Sequence, residues 1–219
     1  MMTAGRPYTA VALVDIVALP AVGGTLNWRP VRRHLGIRAF GINAYVAHAA
    51  GDDVVEDHDE TGHGAGGHEE LYVVVEGHAR FTIGGEEVDA PRGTLVFLGE
   101  PGVRRKAVAV APDTTVIAIG GPVGEPYTVS AWEPVFAAMP LSAAGEHSAA
   151  VAMAAEALAD HPDNPSVLYN LACFESLGGW YEEAVGHLAR AFELDPKTRT
   201  WAETDTDLDP IRDRPDYPA

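Results

Sequence analysis

From Val55 to Gly77 the chain reads VEDHDETGHGAGGHEELYVVVEG, a stretch rich in side chains that do acid–base or metal chemistry. It holds three of the nine histidines (His58, His63 and His68) and six carboxylates ahead of the apolar run LYVVV. Imidazole titrates near neutrality and ligates transition metals. A carboxylate ligates cations and, once desolvated, exchanges protons near neutral pH. The residue types alone allow a metal site, a carboxylate cluster for proton transfer, or a polar loop between strands. Strand alternation puts His58 and Glu60 on one face, and Glu70 and Tyr72 on one face. His63 and His68 lie among Gly62, Gly64, Gly66 and Gly67. That composition suits a solvated connection, or a lid that orders over a ligand. It is no phosphate cradle, because no strand–loop–helix context and no P-loop lysine accompany it.

These side chains need a scaffold, and the first part of the chain reads as short strands. They are expected near 9–18, 39–48, 52–58, 70–76, 79–83, 94–98, 105–110 and 114–119. EGH at 76–78 and GG at 84–85 are tight-turn sequences, and APRG at 90–93 and EPG at 100–102 are further breaks. TTVIAIGG is apolar throughout and predicts a strand covered on both sides. NWRPVRRHLG at 27–36 predicts a helix or turn and carries a basic spot. Its arginines are either solvated and paired with carboxylates, or a docking surface. Many short, closely spaced strands point to a sandwich or barrel.

Beyond residue 130 alanine-rich helical patterns take over, which divides the chain into 1–130 and 131–219. Ala150, Ala154, Ala157 and Pro162 recur 34 residues later as Ala184, Leu188, Ala191 and Pro196. Leu168, Leu171 and Ala172 lie between, followed by GGW as a turn between helices.

The formal net charge of −17 argues against nucleic acid and anionic membrane as partners. An apolar share of 47% supports a packed core. The single cysteine, Cys173, lies in the apolar run LYNLACF, which suits a buried small side chain better than a reactive thiol. With one cysteine there is no intrachain disulfide, no apolar run approaches a membrane span, and the N-terminus reads as mature protein. A cytoplasmic location is expected. Gly-x-Ser-x-Gly, His-Glu-x-x-His and dinucleotide fingerprints do not occur.

Three segments resemble the cupin family: GDDVVEDHDE, then HEELYVVVEG with Glu70 ahead of Gly77, then APRGTLVFLGEPGVRRKAV. The resemblance covers roughly 40–120 and implies a mainly β fold, an antiparallel jelly-roll barrel with a site inside. It also implies a homodimer. In that family the first motif supplies His-x-His and a Glu, and the second one more His. Here Glu60 stands where the second imidazole would be, and Arg105 where the last histidine would be. A guanidinium stays protonated and cannot ligate a cation. Two alternatives remain. His58, Glu60 and Glu70, with His63 or His68, hold iron, manganese, nickel or zinc. Otherwise no metal is bound, and Arg105 pairs with Glu60 or Glu70, or grips a polar or carboxylate-bearing small molecule. Glu60 and Glu70 are then the candidate catalytic groups, in proton transfer of an isomerase or lyase type. His58, Arg105, Tyr72 and Phe97 are the candidate ligand contacts, although core filling suits Tyr72 and Phe97 better than lining the barrel mouth. The metal-dependent alternative implies a dioxygenase or isomerase. The helical part resembles tetratricopeptide repeats, best over 165–198, and implies a small all-α helical hairpin segment able to bind a peptide partner.

Overall fold

The computed structural model describes residues 8–20, 25–62 and 65–218. The chain divides into two compact units, one running to Thr128 (the stretch 62–65 aside) and one from Val129 onward.

Among the described residues the first unit holds ten strands in two antiparallel sheets. They are β1 (Leu19–Pro20), β2 (Asn27–Arg29), β3 (Gly41–Val46), β4 (Asp53–His58), β5 (His68–Glu76), β6 (His78–Ile83), β7 (Glu86–Pro91), β8 (Leu95–Leu98), β9 (Arg105–Ala109) and β10 (Thr115–Pro122). One sheet has the order β1-β2-β3-β10-β5-β8 and the other β4-β9-β6-β7. The pairs β3–β10, β4–β9, β5–β8 and β6–β7 nest inside one another, each antiparallel. This is one long hairpin folded over itself, the order of a double-sheet jelly roll, and it fits the cupin arrangement that the motifs imply. The expected barrel takes the form of two separate sheets, with no pairing between them among the described residues.

Alternation fills the space between the layers. Val54 and Val55 of β4, Tyr72 and Val74 of β5, Phe81 of β6, Val96 and Leu98 of β8 and Val116 of β10 form one buried cluster. Outside β4, where the register shifts and the adjacent Val54 and Val55 are both buried, their strand neighbours point outward, as a half-buried pleat requires. The innermost hairpin turns on Gly84 and Gly85, both at positive φ (57° and 92°), which suits a two-residue turn.

The structure departs from the sequence expectations at four places. The segment 9–18 is not a strand; it holds a short 3-10 turn, Leu13–Asp15. Its apolar alternation serves a different packing, in which Ile16 is buried with Val31 and Ala44 while Val14 and Val17 face solvent. The Arg29 guanidinium donates to the carbonyls of Val14 and Ile16, occupying acceptors that a neighbouring strand would use. The expected helix or turn at 27–36 splits into β2 and a short helix α1 (Val31–Leu35) closed by Gly36 at φ 68°. Strand β7 was hidden by its polar residues, which face outward from an edge strand. The β10 strand is buried at Val116 but only half-buried at Ile117 and Ile119, so its outer face is covered only in part.

The second unit is helical: α2 (Trp132–Ala143), α3 (His147–Ala155), α4 (Pro165–Gly178), α5 (Tyr181–Leu194), α6 (Lys197–Ala202) and α7 (Asp209–Arg212). Helix α4 starts on an Asn164 side chain that accepts from the N–H groups of Ser166 and Val167, with Pro165 in the first turn. It ends at Gly179, φ 87°. Residues of the 34-spaced pattern are buried in both halves, Ala150, Ala154 and Ala157 as well as Ala184, Leu188 and Ala191. Cys173 is 3% exposed among them, and burial raises its thiol pKa, so it packs as a small apolar residue.

Gly77 offers a direct check on the frame. It sits at φ 71°, and a Cβ there would lie 2.7 Å from Thr114 Cα. Gly77→Ala is expected to cost about 2–4 kcal/mol in urea unfolding, combining left-handed strain with overpacking. Gly84→Ala, where a Cβ meets open space, should cost about 1–2 kcal/mol.

Candidate functional site

His58 closes β4 and Arg105 opens β9, and the two are cross-strand partners. Glu70 and Tyr72 share the inward face of β5. Glu60 follows β4 in a turn held at both ends: its N–H donates to the Pro101 carbonyl at 2.9 Å, and its own carbonyl accepts from the Gly67 N–H at 3.1 Å. The Pro101 carbonyl also accepts from Arg105 Nη1 at 3.3 Å. The turn before β9 therefore anchors two of the four charged groups.

The charges interleave. His58 Nε2 lies 3.5 Å from Glu60 Oε1 and 3.8 Å from Glu70 Oε2. Arg105 Nε lies 3.4 Å from Glu70 Oε2. The Tyr72 hydroxyl donates to the same Glu70 oxygen. His58 Nδ1 faces the Glu56 carbonyl at 2.8 Å, which turns Nε2 toward the carboxylates. Burial differs sharply across the group. Arg105 is 0% exposed at its side chain, Glu60 and Glu70 are 10% and 12%, and His58 is 25%. A molecule arriving from solvent therefore meets the imidazole first and the guanidinium last.

Burial works against a charged His58, but hydrogen bonds to Glu60 and Glu70 outweigh it and raise its pKa to about 10. Burial likewise acts to raise the Glu60 pKa. His58, the Gly66 N–H and His68 prevail and hold it below the usual carboxylate range. Burial, followed by the Glu70 charge, drives the Tyr72 phenol well above its ordinary value, so it stays a proton donor. The cluster is thus charge-balanced, with the cations His58 and Arg105 against the anions Glu60 and Glu70.

The remaining sequence candidates fall in different places. His68 is buried, with Nδ1 3.7 Å from Glu60 Oε2, and its ring packs on Tyr127 at 5.7 Å between centroids. Gly66 lets it do so, because a Cβ there would run into the His68 ring. The Gly66 N–H donates to Glu60 Oε2 at 3.1 Å. His63 lies outside the described residues. Phe97 is not brought to the cluster; it points from the outer face of β8 and is 62% exposed. Tyr127 and the Pro101 carbonyl were not singled out from sequence, although the EPG break marked the turn that holds the latter.

His58, Glu60 and Glu70 each offer one donor atom, all within 4.8 Å of one another, which suffices in number for a metal. The fit is impaired at Glu70, which a cation would have to share with Arg105 at 3.4 Å.

No protein-family profile matches the chain, and no curated protein matches it in sequence. Solved structures do. A cupin protein from Bacteroides fragilis is similar at 19% identity and a TM-score of 0.38, over 57% of this chain and 95% of that one. KdgF from Halomonas sp. is similar at 17% identity and 0.38, over 52% and 94%. Ectoine synthase from P. lautus is similar at 17% identity and 0.39, over 52% and 78%. The nested strand pairs of this chain, not these distant matches, carry the fold assignment. No helix among the described residues is long and apolar enough to cross a membrane.

The His58 pKa gives a pH signature. A pKa raised from 6.5 in the unfolded chain to about 10 in the fold adds stability that is fully present below pH 6.5 and lost as pH rises through about 10. In chelator-treated protein, the His58 Cε1 proton is expected to keep its imidazolium shift up to about pH 9, near the low end of that transition. Titration of that resonance near 6.5 would contradict the charge balance.

Proposed function

We propose that the N-terminal unit binds a polar, carboxylate-bearing small molecule at the His58 edge of the charged cluster, without a resident metal. The observation that supports this most is the position of Arg105. It stands opposite His58, fully buried, with its guanidinium on Glu70. Positive charge thus comes from the chain itself where a metal would otherwise supply it. The partly exposed imidazolium has Nδ1 on the Glu56 carbonyl and Nε2 facing Glu60 and Glu70, so a ligand carboxylate would take the place of one glutamate at Nε2 and free that glutamate as proton acceptor. Proton transfer of an isomerase or lyase type would use the glutamate so freed as the base, while His58, with its pKa raised to about 10, serves as a fixed positive charge.

The test is calorimetric titration with short mono- and dicarboxylates, acetate and malonate first, on the wild type and Arg105→Gln. Binding weakened about tenfold or more in the variant supports the reading, since removing one partner of a buried ion pair costs well over about 1 kcal/mol. Undiminished binding in the variant, or no carboxylate binding by either protein, would contradict it.

A second reading has its own support in the three donors within 4.8 Å. His58, Glu60 and Glu70 would hold iron, manganese, nickel or zinc, and the metal would supply a Lewis acid. Elemental analysis after chelator-free purification separates the two. About one metal per chain favours this reading, and a trace amount with no uptake on reconstitution favours the first.

A further inference from the structure

Three donors from three strands converge on a single oxygen, Glu70 Oε2. The Tyr72 hydroxyl of β5 donates to it, Arg105 Nε of β9 lies 3.4 Å away, and His58 Nε2 of β4 lies 3.8 Å away. Donors gathered from separate elements around one point make an anion receptor. Here a side chain of the same chain sits in it.

The occupant fits poorly. Arg105 Nε and Nη2 share one edge of the guanidinium, an edge that takes both oxygens of a carboxylate at once. Both atoms are buried, and neither makes a hydrogen bond among the described residues. Nη1 is already engaged, by the Pro101 carbonyl at 3.3 Å. Glu70 therefore brings one oxygen near the fork without filling it. Buried donors left unmet are few in a finished core and call for acceptors from outside. Exposure shows where such acceptors enter. Glu70 keeps 12% exposure at its side chain while Arg105 keeps none, so a ligand reaches the guanidinium through the space of the Glu70 carboxylate.

We propose that Glu70 is a built-in competitor, which holds the receptor until a ligand carboxylate displaces it. This rests on the carboxylate reading of the site and names the glutamate that gives way. Glu60 is too firmly tied for that role: its N–H and carbonyl are held in the turn, and its Oε2 accepts from the Gly66 N–H. One oxygen of the ligand carboxylate takes the Tyr72 hydroxyl and Arg105 Nε, and the other takes Nη2. A carboxylate leaves and a carboxylate enters, so the receptor keeps the charge that it is built around. It selects carboxylates whose neighbouring carbon is no bulkier than the Glu70 methylene it replaces, as in acetate and malonate.

Acetate is the probe, because it restores the atoms that Glu70→Ala removes. Calorimetric titration compares chelator-treated wild type, Glu70→Ala and Glu60→Ala at constant ionic strength. Glu70→Ala should bind acetate about tenfold or more tightly than the wild type, since the receptor no longer has to be emptied first. Glu60→Ala, which removes an equivalent carboxylate, should show no such gain. Adding Arg105→Gln to Glu70→Ala should abolish it. If Glu70→Ala does not fold, acetate and not chloride should restore its refolding, and Glu70→Gln should still bind acetate more tightly than the wild type. Acetate affinity no higher in the Glu70 variants than in a binding-competent wild type overturns the inference and leaves the carboxylate reading standing. An equal gain in Glu60→Ala also overturns it. Acetate bound by none of these proteins overturns both.

Discussion

The contact on which the site depends is Arg105 against Glu70. A guanidinium with no exposed surface has given up its hydration, and its Nη2 makes no hydrogen bond among the described residues. Desolvation of this kind costs several kcal/mol and is only partly repaid by one carboxylate and the Pro101 carbonyl. An apolar residue of similar size would pack there more cheaply. The arginine is therefore better explained by what it does to Glu70 than by what it adds to stability. It sets a fixed positive charge 3.4 Å from a carboxylate between the two sheets, and that carboxylate in turn accepts from Tyr72 and helps raise the His58 pKa.

The jelly-roll order makes the contact possible. Arg105 is far from Glu70 in sequence, yet β9 pairs with β4 while β5 lies in the opposite sheet. Folding one long hairpin over itself brings the end of β4, the start of β9 and the inward face of β5 to one end of the sandwich. The same folding leaves the outer face of the larger sheet apolar along β3, β8 and β10 and partly bare, with Leu95 and Phe97 exposed. Site and bare face are thus the two sides of one sheet, with Glu70 and Tyr72 turned inward on β5 and Leu71 and Val73 turned outward.

Much of this was legible in the sequence where chemistry and period coincide. His58, Glu60, Glu70 and Arg105 could be named because they fall at the positions where the resembled motifs carry their His-x-His, Glu and last His. Tight turns at Gly77 and Gly84–Gly85 were readable because positive φ selects glycine. What failed had non-local causes. The N-terminal alternation looked like a strand until Arg29 took its carbonyls. Phe97 read as a core or barrel-mouth aromatic, and only the one-residue phase of a four-residue strand sends it outward. The role of Pro101 belongs to a backbone oxygen, which no side-chain pattern reports.

The central claim is that Arg105 occupies the electrostatic place of a metal. Zinc titration of chelator-treated wild type and of the Arg105→His variant measures it most directly. The account predicts no stoichiometric zinc binding by the wild type. It predicts about one equivalent for the variant, in which the introduced imidazole completes a four-donor set with His58, Glu60 and Glu70. Stoichiometric zinc binding by the wild type, undiminished relative to the variant, would contradict it.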